Sequence, residues 1–368
     1  MSDLSAEASR SEQKVAQVKS RQTVLLFLLF LLICLGLGYA QLNRYDPAKL
    51  PGTSDVGVYR EMVVGRTPQG TPGPSDAYSR LAQWENRYRV LVPDTAKPIY
   101  WLTRNHLKTW DPALFGLLVA NALFTATTAC LLVSVGYRLT LDFPTALLGG
   151  TLYLLNFCVV NLNLVGLVDS AEGCFVMAIV WSLLDDRWFL LPLWGVLGAL
   201  AKETFAPLSG MFVFGWWLAA VRRDRLQLRH LVWVGALGVA SLATVTITMS
   251  IIAGGLVWPW EFAAFAAAGN GFLAGLRGSI LDHTFWYVFI WMLPLGLVRL
   301  RRLPQTWVAA TAAAFCGALV LGAYNDARGN TTRALFNVAG PLLSLSTAVF
   351  LAGLPAPAPP ATAEPPLD

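Results

Sequence analysis

The stretch TVLLFLLFLLICLGLGYA, Thr23–Ala40, is uncharged and apolar throughout, and it is long enough to cross a hydrocarbon core of about 30 Å. Lys14, Lys19 and Arg21 precede it, and no small-residue cleavage site follows. It therefore reads as a retained first helix, with the polar segment 1–21 cytoplasmic. The whole chain agrees with that reading. Of its 368 residues 55% are hydrophobic and 13% charged, against roughly 25% charged in a soluble domain. Mean hydropathy is +0.54. The net charge of +5 calls for no nucleic acid, because basic residues held on the cytoplasmic side of a membrane give the same balance.

Beyond a long polar segment at 43–112, apolar runs recur at about 113–136, 144–166, 171–184, 188–201, 205–221, 231–254, 284–298, 305–323 and 334–353. These predict an all-α polytopic membrane protein of about ten spans, with residues 22–353 as the membrane domain. The runs at 171–184, 188–201 and 284–298 are short for a span. With the N-terminus inside, Arg138, Arg187, Arg222, Arg223, Arg225, Arg229, Arg299, Arg301 and Arg302 fall on short cytoplasmic loops. Only Lys202, Arg277, Arg328 and Arg333 fall on short outer ones, so positive charge places both termini in the cytoplasm. The Pro/Ala-rich segment 354–368 is expected to be a disordered tail.

The five cysteines lie in or beside apolar runs without a CxxC pair, and His106, His230 and His283 are far apart in sequence. Neither a disulfide framework nor a metal centre built on His or Cys is expected. There is no GxxxxGK[ST] loop, GxSxG elbow or HExxH motif, and nothing suggests a cytoplasmic nucleotide site.

The threading puts the unusual polar residues on the outer side. Pro51-Gly52 leads into Thr53, Ser54 and Asp55, all helix-capping types, and Val56, Tyr59 and Met62-Val63 follow at helical spacing. A short amphipathic helix lying on the membrane surface is expected, with Asp55 at its start. As an alternative, Asp55 is simply the cap of that helix. Arg87 and Arg89 flank Tyr88 and could grip a phosphate with their planar forks of donors. Asp169 and Glu172 occupy one short outer connection, Lys202 and Glu203 another, and the last outer loop carries Arg328 and Arg333. Charges near membrane depth are costly and mark a site by default, although a structural ion pair between span ends explains them too.

Taken together these residues resemble the GT-C superfamily, polytopic glycosyltransferases that use polyprenyl-phosphate-linked sugars. Ser54-Asp55-x-x-x-Tyr59 is similar to the first-loop acidic motif. Gly198–Thr204 with Pro207 is similar to the Lys-containing outer segment, and Arg333 before Pro341 resembles an Arg placed in the final outer loop. The resemblance implies inverting sugar transfer on the extracytoplasmic face, from a lipid-linked donor to a glycan, lipid or protein acceptor, and the Ala/Leu/Gly-rich usage and compact size suggest a bacterial inner membrane. It implies Asp55 as general base, and Lys202, Arg333 and Arg89 on the donor phosphate. Tyr59, Arg87, Arg328, Asp169, Glu172 and Glu203 would bind or position the substrate. Many members carry two adjacent acids where this chain has Ser54-Asp55, a departure that counts against a metal-dependent version while leaving metal dependence open, and no cofactor is expected. The alternatives are a transporter or flippase for a lipid-linked sugar and a non-catalytic binding subunit. Against the first, the chain has no internal repeat of the kind many transporters show.

Overall fold

In the computed structural model the described residues are 2–44, 55–65, 87–164, 166–221, 228–258, 271–324 and 328–353, the side chains of 2–20, 44, 328 and 329 excepted. The cap candidates Thr53 and Ser54, the arginines Arg222, Arg223 and Arg225, and the tail from residue 354 lie outside them, as does the Arg328 side chain. The described residues are helical, without a strand.

The first helix, α1 (Ser2–Arg44), contains the long apolar stretch. It buries Phe30 and Cys34 and turns Leu25 and Leu32 outward, as a helix does that packs on protein along one side and faces lipid along the other. Its partner is α4 (Pro112–Thr140), which begins where Asp111 accepts the Ala113 and Leu114 amides and Pro112 presets the first turn. Two short helices, α2 (Asp55–Val64) and α3 (Leu91–Thr103), precede α4 and pack against it and each other.

Next come α5 (Phe143–Leu154), α6 (Asp169–Leu184), α7 (Leu191–Ala201), α8 (Phe205–Val221) and α9 (Arg229–Ala253). The chain then forms α10 (Phe272–Leu281), α11 (His283–Phe289), α12 (Met292–Arg299), α13 (Gln305–Tyr324) and α14 (Arg328–Leu351). Close helix contacts are made at small residues, as is usual where helices meet in lipid. A Cβ on Gly215 of α8 would stand 2.8 Å from Ala313 Cβ of α13, and one on Gly195 of α7 would stand 2.8 Å from Ser241 Oγ of α9. Of the five long apolar helices α14 is the most enclosed, whereas α9 turns Val239 and Ile251 outward.

Among the described residues, five helices are long and apolar enough to cross a membrane, at Arg21–Asn43, Pro112–Thr140, Arg229–Ala253, Gln305–Tyr324 and Asn330–Leu351. A sixth is obtained if the pair α11–α12, bent by 43°, counts as one. The apolar helices support an all-α membrane protein.

Two expected spans are broken. The run at 144–166 leaves the α-helix at Leu155–Asn156 and resumes as a π-helical turn at Val159–Asn163. Buried Asn156 accepts the Cys158 amide at 2.8 Å and donates to the Val288 carbonyl at 3.0 Å. It thus competes with the α-helical backbone in its own segment and takes up a carbonyl beside the bend between α11 and α12. Nor does α2 simply lie on a membrane surface: Val56, Gly57, Val58, Tyr59 and Val63 are buried, so the helix is docked on protein.

Candidate active site

Helix direction gathers the charged residues at one end of the bundle. There α6, α8 and α14 begin and α7 ends, while Arg138 near the end of α4 pairs with Asp185 at the opposite end. Asp169 and Glu172 sit in the first turn of α6, where the N-terminal end of the helix dipole favours carboxylates. They are not in a loop, as the sequence suggested. Arg333 likewise lies inside α14, because that helix already starts at Arg328.

The turn between α7 and α8 fixes the geometry. Lys202 is extended, with φ −161 and ψ 136, and its amide closes on the Gly198 carbonyl at 3.0 Å. The turn is tight enough to fold the Phe205 ring back onto Gly198, where a Cβ would stand 2.3 Å from it. Three consecutive residues then reach three partners. Lys202 Nζ donates to Asp169 Oδ1 at 2.6 Å, Glu203 receives the Arg89 guanidinium, and Thr204 Oγ1 donates to Glu172 Oε1 at 2.8 Å. Arg333 Nη1 donates to the other Asp169 oxygen at 2.8 Å, and Lys202 lies 3.7 Å from Glu172 Oε2. Asn337, one turn along α14 from Arg333, donates to Glu172 Oε2 at 2.8 Å.

The Arg89–Glu203 pair is two-pronged, with Nε at 2.7 Å and Nη2 at 2.5 Å, and Arg89 Nη1 also donates to Tyr59 Oη at 3.0 Å. Burial alone would raise the Glu203 carboxyl, but the guanidinium beside it outweighs that and holds it below its ordinary value. Burial pushes the Tyr59 phenol the other way, well above its ordinary value, so it stays a neutral hydroxyl. Lys202 acts electrostatically on Glu203 as well, which joins the two halves of the cluster. Three carboxylates, Asp169, Glu172 and Glu203, are thereby matched by three cations, Lys202, Arg333 and Arg89.

Asp55 lies one helical turn ahead of Tyr59, partly exposed, and its charge acts on the Tyr59 hydroxyl. Two contacts seat its helix. Arg60 grips Asp111 Oδ2 through Nε at 2.9 Å and Nη2 at 2.6 Å. Gly166, at φ +90, passes so close below that a Cβ there would meet Val56 at 3.4 Å.

Of the residues singled out in the sequence, Tyr59, Arg89, Asp169, Glu172, Lys202, Glu203 and Arg333 share this cluster. Arg87 departs from its expected pairing with Arg89, because it is drawn to Glu61 of α2 at 2.6 Å. Thr204, Asn337 and the Arg60–Asp111 latch were missed. Asn337 did leave a signal, as the one amide in an otherwise apolar run four residues after Arg333. Among the described residues, no group of three or more His, Cys, Asp or Glu side chains is placed to hold a metal.

No protein-family model, curated protein or solved structure matches this chain.

The Arg89–Glu203 pair ties the segment before α3 to the bundle, and its coupling is measurable. Arg89→Met and Glu203→Gln should each destabilise by about 1.5–3 kcal/mol, the range for hydrogen bonds to charged groups. The double variant should cost less than their sum by about 1–3 kcal/mol. Unfolding titrations of the detergent-solubilised protein check this, and additive losses would mean that the pair does not couple.

Proposed function

We propose that the protein is a membrane glycosyltransferase of the GT-C type, moving a sugar from a polyprenyl-phosphate-linked donor to an acceptor hydroxyl. The observation that supports this best is the docking of α2 on the buried cluster through Tyr59, Arg89 and Glu203. It brings a partly exposed carboxylate, Asp55, to the same end of the bundle as Lys202 and Arg333.

In this reading Asp55 accepts the proton of the acceptor hydroxyl as its oxygen attacks the anomeric carbon. The carbon–oxygen bond to the donor phosphate breaks on the opposite side, its electron pair stays on the phosphate oxygen, and the single displacement inverts the centre. Charge developing on that oxygen is met by Arg333 and Lys202. Arg333 holds Asp169 through Nη1, and its other nitrogens carry no hydrogen bond among the described residues, so the guanidinium can take a phosphate without releasing its carboxylate. Glu203, Asp169 and Glu172 hold the cations in place.

The proposed topology counts α5, α6, α7 and α8 as shorter crossings beside the five long helices and the bent pair, about ten spans in all. Both termini are then cytoplasmic, and the site faces outward from a bacterial inner membrane.

The balanced charges also favour a second reading, a binding subunit that holds a lipid-linked sugar without reacting it. The purified protein, incubated with labelled polyprenyl-phosphate sugars and candidate acceptors, separates the two. Label appearing on an acceptor supports the transferase; retention of intact donor supports the binding subunit; flux of unmodified donor across proteoliposomes means a transporter. Arg333→Ala should weaken donor binding about tenfold or more, as loss of a charge-assisted contact does. Unchanged affinity would leave Arg333 a purely structural role.

A further inference from the structure

Lys202 is 4% exposed and Arg333 is largely enclosed, so a phosphate outside the protein does not reach Lys202 in this arrangement. Something has to move before the cluster meets a donor, and the geometry shows what covers it. Lys202 bonds Asp169 on one side and adjoins Glu203 in the chain on the other. The short helix α2 lies against both flanks. Its Val56 stands where a Cβ on Gly166, three residues ahead of Asp169, would meet it at 3.4 Å. Its fully buried Tyr59 receives the same Arg89 guanidinium that holds Glu203.

The cover is held differently from what it covers. Helices α7 and α8 are packed along their length on α9 and α13. Helix α2 has ten residues, too few to be stable by itself, and packs chiefly on α3 and α4. Three successive side chains fasten it: Tyr59 to Arg89 at 3.0 Å, Arg60 to Asp111 at 2.6 Å and Glu61 to Arg87 at 2.6 Å. The Arg60 and Glu61 side chains are 24% and 33% exposed, so water can take over from both ion pairs at small cost. Parting Lys202 from Asp169 would instead strand buried charge. Lids are drawn from such weakly held elements.

We infer that α2 is a lid and that this structure is its closed state. Release of Tyr59, Arg60 and Glu61 uncovers Lys202 and the face of Arg333 beside it, and a phosphate-bearing ligand enters. Redocking returns Asp55 to the site and shuts out water, which competes with the acceptor for the sugar. The identity of the entering group, a polyprenyl phosphodiester, rests on the transferase reading; the movement rests on the contacts of α2.

The test labels Lys202→Cys, in the full chain in neutral detergent, with 2-aminoethyl methanethiosulfonate and follows each cysteine by peptide mass spectrometry. Adding Arg60→Ala and Glu61→Ala should speed labelling at position 202 by about tenfold or more. Buried Cys174, five residues further along α6 than Asp169, should stay protected throughout. Equal rates with the fasteners present and removed overturn the lid. So does parallel labelling of Cys174, which means that the whole bundle has loosened. Should Lys202→Cys not fold, Thr204→Cys in the same turn reports in its place. Should the alanine pair not fold, the milder Arg60→Lys and Glu61→Gln decide, and no acceleration in either overturns the proposal. Labelling needs no donor, so the two readings fail separately. Fastener-dependent labelling in a protein that binds no polyprenyl-phosphate sugar keeps the lid and removes its proposed occupant. Donor binding with fastener-independent labelling does the reverse.

Discussion

Asp55→Asn should lower the rate of sugar transfer by about 10²–10⁴-fold, the usual contribution of a positioned general base, while donor affinity stays near that of the unaltered protein. The substitution preserves shape and the ability of the side-chain oxygen to accept amides at the start of α2, so the helix should remain docked through Arg60, Tyr59 and Val56. It removes the proton acceptor and leaves the donor-binding cations untouched. The separation between turnover and binding is what distinguishes a base from a cap. A cap that matters only for structure would lower stability and both functions together, or change nothing. Transfer assays paired with donor-binding isotherms on the same preparation measure it, and unaltered turnover in the variant would remove Asp55 from the chemistry.

The second large effect concerns stability. Asp169 is 1% exposed and holds both Lys202, 4% exposed, and Arg333. Asp169→Ala should destabilise by about 3–5 kcal/mol, because it strands buried positive charge that the protein then has to solvate. Lys202→Met alone should also destabilise, since Asp169 loses its 2.6 Å partner. The Asp169→Ala/Lys202→Met pair should lose clearly less than the two single losses added together, because each removes the charge that the other leaves unmatched. Denaturant unfolding without any substrate is the measurement, which keeps the result separate from catalysis. Strictly additive losses would show that the buried groups do not act as a pair.

Much of this was visible in the sequence for a simple reason. Charges inside an otherwise apolar chain are few, and each stands out against its neighbours. Asp169, Glu172, Lys202, Glu203 and Arg333 could be picked out and set on one side by counting crossings. That they touch could not, because contacts between residues up to 165 positions apart, as between Glu172 and Asn337, depend on how helices are packed and not on local pattern. Two helix starts that matter to the site were placed too late. Hydropathy sees apolar residues, so it opened the spans at 171 and 334, after the polar helix starts that carry Asp169 and Arg333. The broken segments were hidden because Asn156 is a single polar residue in a long apolar run, and its effect depends on the distant Val288 carbonyl. Arg87 and Arg89, two apart in sequence, looked like one grip, yet they leave the chain toward Glu61 and Glu203 respectively.

Asp111 performs two tasks with its two oxygens: Oδ1 holds the first amides of α4 and Oδ2 holds Arg60 of α2. Fraying at the start of α4 and release of the helix that carries Asp55 are therefore linked events. Hydrogen exchange at the Ala113 and Leu114 amides becomes a clock for the opening of the site above them. Any ligand that holds α2 down should slow that exchange, even though it touches neither amide.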